Sequence, residues 1–259
     1  MRVLVTGASR GIGRALVAEL ATRGMQIVAT ARTVTDLDGL PSVANLPLDV
    51  TSDSSVAAVA DAAGPIDVLV NNAAVSIAAP VEATPAGAAL GMFDTNVLGP
   101  LRMINAFVPG MRARGGGLVV NLSSVAGQAV FPLNGVHAAS KHALEAMSEG
   151  LALEAGPLGI RVLVCQLGAV ATGMYQQQPT FTDPAYADLF RAQEEGFAQA
   201  AAHQAKPEAV AGQIADALEA ARQGPAFKRV PIGQDAAWVL AERARLDDDG
   251  WAARIRGMN

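Results

Sequence analysis

Short apolar runs recur along the chain, and each is followed by a longer stretch whose apolar positions fall on one helical face. The runs that read as strands are Arg2–Thr6 around Val3-Leu4-Val5, Gln26–Ala31, Asn45–Leu48, Val68–Val70, Leu118–Leu122, Ile160–Gln166 and, last, Lys228–Pro231. Between them the spacing predicts helices over Ile12–Thr22, Ser54–Ala62, Ala86–Val108, Gly135–Ala155 and Pro207–Arg222. Strands that alternate with helices, and are apolar throughout instead of at every second position, belong in a parallel sheet covered on both faces. Right-handed crossovers then place helices on both sides, which makes the expected architecture an α/β doubly wound parallel sheet. No repeat, linker or low-complexity tract divides it, so residues 1–259 read as a single domain.

Residues 173–203 break the rhythm. They are rich in Gln, Ala, Phe and Tyr, with Pro179 and Pro184 as breakers, and they follow the sixth strand. That position is the carboxyl edge of the sheet, where open α/β sheets bind ligands. The segment is expected to be a substrate loop or lid with short helices.

Composition narrows the class. Hydrophobic residues make up 51% of the chain but aromatics only 4%, so the core has to be built from Ala, Val, Leu and Ile. The net charge of −5, without a basic run, speaks against nucleic acid and anionic membranes as partners. The lone cysteine, Cys165, sits in an apolar strand and reads as a core thiol in a reducing compartment. No run approaches the roughly 18 apolar residues of a membrane span, and the first strand begins at Arg2 with no signal peptide before it. The expectation is a cytoplasmic protein. No group of His, Cys, Asp or Glu has metal-ligand spacing, so no metal is expected.

The first strand runs into Thr6-Gly7-Ala8-Ser9-Arg10-Gly11-Ile12-Gly13 and then into a helix. Gly7 lets the chain turn, Gly11 clears the approach to a phosphate, and Gly13 lets helix and strand pack closely. The free N–H groups and positive dipole end of that helix suit a pyrophosphate. Strand before and helix after is the context a dinucleotide fingerprint requires, so the fold is expected to be of Rossmann type. The second strand ends Ala31-Arg32 without the acidic residue that would hold the ribose hydroxyls of NAD. Arg32 and Arg10 instead suit the 2′-phosphate of NADP(H).

Together these residues resemble the classical short-chain dehydrogenase/reductase family over about Arg2 to Thr172, and more loosely over the C-terminal helix. Thr6–Gly13 matches its TGxxxGxG turn, and Asn71-Asn72-Ala73-Ala74 its NNAG-like motif, with Ala74 for the usual Gly. The resemblance implies cofactor contacts from Asp49 and Val50 on the adenine side, from Asn72 and Ala73, and from Gly168, Val170 and Thr172 around the nicotinamide. It further implies that Asn96 supports a proton-relay water, that Ser124 polarises a substrate carbonyl, and that Lys141 holds the nicotinamide ribose. Related proteins pair through the long helices after the fourth and fifth strands, so a homodimer or homotetramer is expected.

One position departs from the pattern. The family's acid–base tyrosine stands four residues before the lysine, and here that residue is His137, thirteen residues after Ser124. Residues four apart share a helix face, so Lys141 still neighbours it. A nearby ammonium pushes imidazole down from its reference pKa of about 6.5. His137 is therefore expected to be mostly neutral at pH 7, a competent base that donates protons best in mild acid. A second departure is Leu167-Gly168 where the family has Pro-Gly; Leu167 retains an N–H and frees the backbone there.

Other candidates weigh less. His142 and His203 read as surface or packing, and Tyr175 as a lid or core contact that could in principle supply a phenol. Trp238 and Trp251 read as packing for an oligomer or domain surface. Three functions stay open at this point. One is an NADP(H)-dependent reductase of a carbonyl, imine or enone in a lipophilic small molecule. Another is a non-redox enzyme (isomerase, cyclase or dehydratase) with His137 as base, and the third is an NADP(H)-binding sensor.

Overall fold

A computed structural model describes residues 1–174, 178–200 and 204–257. Seven strands form one sheet: β1 (Arg2–Val5), β2 (Gln26–Ala31), β3 (Ala44–Pro47), β4 (Val68–Asn71), β5 (Gly117–Leu122), β6 (Ile160–Leu167) and β7 (Phe227–Ile232). Their order is β3-β2-β1-β4-β5-β6-β7, and every neighbouring pair is parallel. The order reverses between β1 and β4, and the crevice beyond that pair is where such sheets take a ligand.

The helices are α1 (Gly11–Thr22), α2 (Asp53–Ala63), α3 (Ala86–Phe93), α4 (Gly99–Ala113), α5 (Gly135–Ala155), α6 (Ala187–Ala200), α7 (Pro207–Ala221), α8 (Ala236–Arg245) and α9 (Asp248–Arg256). Alternate strand residues feed two cores. Val3 and Val5 of β1 pack with Leu16 and Leu20 of α1 and with Ile214 and Leu218 of α7. Leu4, between them, packs on the opposite face with Val56 of α2 and Met103 and Phe107 of α4. Both faces are thereby buried, which is why Val3-Leu4-Val5, Val68-Leu69-Val70 and Leu118-Val119-Val120 are apolar at successive positions.

The helix expected over Ala86–Val108 is two helices. A π turn, Asp94–Leu98, separates α3 from α4. Pro100, in the first turn of α4, has no N–H to give the carbonyl of Asn96, so the regular ladder cannot continue through this point. Further on, α4 runs through Pro109 to Ala113. Pro109 is exposed, so the carbonyl it fails to serve can turn to water.

The excursion after β6 contains, in its described part, a short 3-10 turn, Pro184–Tyr186, that leads into the longer helix α6. It is fastened at both ends of its described part. Thr180 forms a β-bridge with Ala78, and Val170 with Ala205. Ala78 N–H donates to the Pro179 carbonyl and Phe181 N–H to the Ala78 carbonyl, at 3.1 and 3.0 Å. Tyr186 Oη donates to Glu82 at 2.7 Å. Tyr175 and His203 lie outside the described residues. Trp251 packs against its own chain, edge-on to Phe131 at 5.8 Å and donating to the Val130 carbonyl, and Trp238 is half exposed beneath Arg254.

Candidate active site

The glycine turn is built by clamping the end of β1 to the end of β4. Thr6 Oγ accepts the N–H groups of Asn72 and Ala73, each at 3.0 Å. The Asn72 side chain donates back to the carbonyls of Thr6 and Gly7 at 2.7 and 3.0 Å. Gly7 and Gly11 both have positive φ, +66° and +56°, a conformation that favours glycine. A Cβ on Gly13 would run into the Gly7 carbonyl and the Asn72 side chain, and one on Gly11 would run into Thr172. No side chain caps α1, whose N-terminus therefore points its amides at the crevice.

A cleft of about 320 Å³ opens over this turn and runs along the carboxyl edge of the sheet. Gly7, Ser9, Arg10, Gly11 and Ile12 form its floor, with Asn72 and Ala73 beside them. Thr6 and Gly13 lie behind that floor and shape it without lining the cleft. At one end stand Arg32, Asp49 and Val50. Hydrogen bonds from Thr51 N–H and Oγ hold the Asp49 carboxyl below its ordinary range, and Arg32 and Arg102 lower it further. At the other end stand Gly168, Val170 and Thr172. Gly168 N–H donates to Ile232 and Ala169 N–H to Asp235 Oδ2, both at 2.9 Å, so the β7–α8 connection braces this loop. Leu167 is a strand residue paired with Ile232, which holds the backbone expected to be freed there.

The reactive groups converge in the middle. Ser124 caps the short turn Val125–Gly127, its Oγ accepting Ala126 N–H at 3.1 Å, and it lines the cleft with His137 and Lys141. His137 and Lys141 stand one turn apart on the buried face of α5. Lys141 Nζ donates to the Leu122 carbonyl at 2.9 Å. Asn96 is placed differently: it does not line the cleft, and its side chain is fully employed. It accepts Val75 N–H and donates to the Val75 carbonyl, both at 2.9 Å, and also donates to Ser140 Oγ at 3.1 Å. Thr95 and Val75, which the sequence did not single out, line the cleft instead.

Charge in this cluster is set by burial. His137 is 7% exposed, and its Nδ1 is buried without a hydrogen-bond partner. Desolvation first and the Lys141 ammonium second push the imidazole down from 6.5 to about 3, against a weak upward pull from the Val75 backbone. The expectation of proton donation in mild acid is thereby corrected, because the ring stays neutral well below that range. The larger cause is desolvation, which spacing alone does not reveal. Burial likewise pushes Lys141 down from 10.5 to about 8, opposed by the Glu145 carboxylate. Cys165 is fully buried, and its thiol is pushed up to about 12, so it takes no part. His142 bonds its own helix through Nδ1 and the Ala138 carbonyl at 2.9 Å.

Among the described residues no cluster has the makings of a metal site, and no helix is long and apolar enough to cross a membrane.

Residues 1–182 match the family model described as short chain dehydrogenase. The short-chain dehydrogenase ptmH of Penicillium ochrochloron is 35% identical over 99% of this chain and 98% of its own. The solved structure of a short-chain dehydrogenase from Streptomyces avermitilis superposes with a TM-score of 0.84 at 34% identity, covering 100% of this chain and 98% of that one. A short chain dehydrogenase from Burkholderia cenocepacia J2315, solved in complex with NADP, gives a TM-score of 0.80 at 28% identity over 98% and 96% of the two chains.

Proposed function

The chain belongs to the short-chain dehydrogenase family, and from that premise we propose that it is an NADP(H)-dependent oxidoreductase whose acid–base tyrosine is replaced by His137. In this reading it reduces a carbonyl, imine or enone of a lipophilic small molecule. The observation that carries the reading is the placement of Ser124, His137 and Lys141 in the same cleft as the glycine turn. The turn fits a dinucleotide on its own terms, since Gly11 lines the cleft without a side chain and Gly13, behind it, leaves room for the Gly7 backbone that shapes the floor. Arg32 at the adenine end, with no acidic residue closing β2, supports NADP over NAD. Apolar side chains that line the cleft, Val75, Leu167, Val170 and Met174 among them, support a lipophilic substrate.

When bound, the dinucleotide supplies the hydride. The protein does the rest. Ser124 Oγ offers a hydrogen bond to the substrate's reacting atom. Lys141, fixed on Leu122, faces the position of the ribose. His137, uncharged, can donate one hydrogen bond and accept another, and it holds no excess proton. Such a site favours substrates that ask little of an external acid. An imine, which brings its own basic nitrogen, meets that condition better than a ketone. The same unpartnered Nδ1 leaves room for a second reading, a non-redox reaction in which His137 removes a proton, although the depressed pKa weakens the ring as a base.

The reading also takes residues 1–259 as one cytoplasmic domain that forms a homodimer or homotetramer. Leu90 and Leu153, 71% and 75% exposed on α3 and α5, support pairing through those faces. Light scattering reads the oligomer directly.

NADPH oxidation over a carbonyl and imine panel, with the native protein and His137→Tyr side by side, tests the function. Turnover by the native protein supports reduction with histidine. Silence in the native protein with turnover in the variant moves the assignment to the non-redox reading.

A further inference from the structure

The buried face of α5 does not end at Lys141. His137, Lys141, Glu145 and Ser148 follow one another along it, and all are buried. Glu145 is 3% exposed. A carboxylate in that position costs several kcal/mol of lost solvation unless donors surround it. Here they do. Oε1 accepts Ser123 Oγ at 2.8 Å and Gln166 Nε2 at 3.1 Å. Oε2 accepts Gln166 Nε2 at 3.1 Å and Arg229 Nε at 2.9 Å. Arg229 is itself held on the outer side by Glu149 at 2.7 Å.

These donors come from the ends of β5 and β6 and from β7, so one carboxylate ties three strands to the helix that carries His137 and Lys141. Ser123 is the residue immediately before Ser124. Gly127, which closes the turn that Ser124 caps, packs so near Glu145 that a Cβ there would collide with its carboxylate. A glutamate buried as far as this, in a helix with ample exposed surface, has a task that surface positions cannot perform.

We propose that Glu145 is a positioning residue of the active site, fixing the Ser123–Ser124 turn by hydrogen bond and standing as the buried counter-charge of Lys141. The proposal rests on the reading of Ser124 and Lys141 given above. The groups that surround Lys141 are consistent with it. On α5 they are His137, neutral, and Glu145, charged. From β5 the Leu122 carbonyl accepts from Lys141 Nζ, and the neutral Ser123 and Gln166 hold Glu145 itself. Arg229, behind Glu145, is the next cation. Glu145 is thus the anion that opposes the burial of the Lys141 ammonium.

The chain has three lysines, Lys141, Lys206 and Lys228, so lysine-labelled protein gives a readable NMR titration without substrate or cofactor. In native protein Lys141 is expected to titrate near 8. In Glu145→Gln the titration falls by about one unit or more. Glu145→Asp keeps the charge and restores the titration, but it draws the carboxylate back from Ser123. Ser123→Ala leaves the titration in place and lowers kcat about tenfold with KM little changed. Glu149→Gln, which meets the same Arg229 from outside, moves neither. An unshifted Lys141 in Glu145→Gln, or an unchanged kcat in Ser123→Ala, overturns the proposal. Should the native protein bind neither NADPH nor NADH, the cofactor reading fails, while the Lys141 titration still decides the role of Glu145.

Discussion

Lys141 donates from Nζ to the backbone carbonyl of Leu122 at 2.9 Å, at the last residue of β5 and one helical turn beyond His137. The ammonium is thereby fixed over the cleft by the sheet itself, on a helix that could otherwise shift along it. Lys141→Met keeps the apolar stem and removes the charge. Dinucleotide affinity is expected to fall about tenfold or more, the scale of one lost charge-assisted hydrogen bond. Fluorescence titration of NADPH checks it. An affinity within twofold of native would place the ribose elsewhere.

Gly13 and Gly212 make opposite predictions from the same substitution. Alanine normally stabilises a helix relative to glycine by roughly 0.5–1 kcal/mol. At Gly212, in α7, nothing lies within 4 Å of the added Cβ, so Gly212→Ala is expected to raise the melting temperature. At Gly13 the Cβ meets the Gly7 backbone and the Asn72 clamp, neither of which can move without opening the turn. Gly13→Ala is expected to cost about 1–3 kcal/mol and to abolish dinucleotide binding. Thermal unfolding with and without NADPH separates the two.

Where the sequence was legible, both faces of an element were buried or a turn demanded glycine. The β strands stood out because Val, Leu and Ile fill them on both sides, and the glycine turn because Gly7 and Gly11 adopt φ that other residues avoid. The neighbouring of His137 and Lys141 followed from helical spacing alone. The break between α3 and α4 was not legible, because Pro100 is also compatible with an ordinary first turn. Asn96 was found but its surroundings were not: its partner Val75 lies 21 residues earlier. Glu145 was invisible for a related reason. A glutamate in a helix reads as solvated surface, and its donors lie up to 84 residues away along the chain. The depth of His137's burial, which sets its charge, is likewise a property of the packed molecule.

Arg32 stands at the adenine end of the cleft, and its charge reaches the Asp49 carboxyl. Arg32→Asp places at the end of β2 the acidic residue whose absence favours NADP. The preference for NADPH over NADH, measured as a ratio of dissociation constants, is expected to fall by about ten- to a hundredfold, as for one lost hydrogen bond to a charged group. An unchanged ratio would mean that Arg32 does not meet the 2′-phosphate.

His137 also makes the fold sensitive to acid. Its imidazole titrates near 3 in the folded protein and near 6.5 when exposed by unfolding. Between those values the unfolded chain binds more protons, so stability rises with pH through this window and is lost as pH falls through it. By pH 5 the loss attributable to His137 amounts to about 2 kcal/mol. Lys141, depressed to about 8 from 10.5, gives the same sign in a separate window, where stability rises between those values. His137→Gln removes the acid-side contribution and leaves the alkaline one. Urea unfolding of native and variant protein at pH 7 and pH 5 is therefore expected to show a stability difference that narrows as the pH is lowered. A native protein as stable at pH 5 as at pH 7 would mean that the ring is solvated, and the neutral imidazole on which the proposed chemistry depends would fall with it.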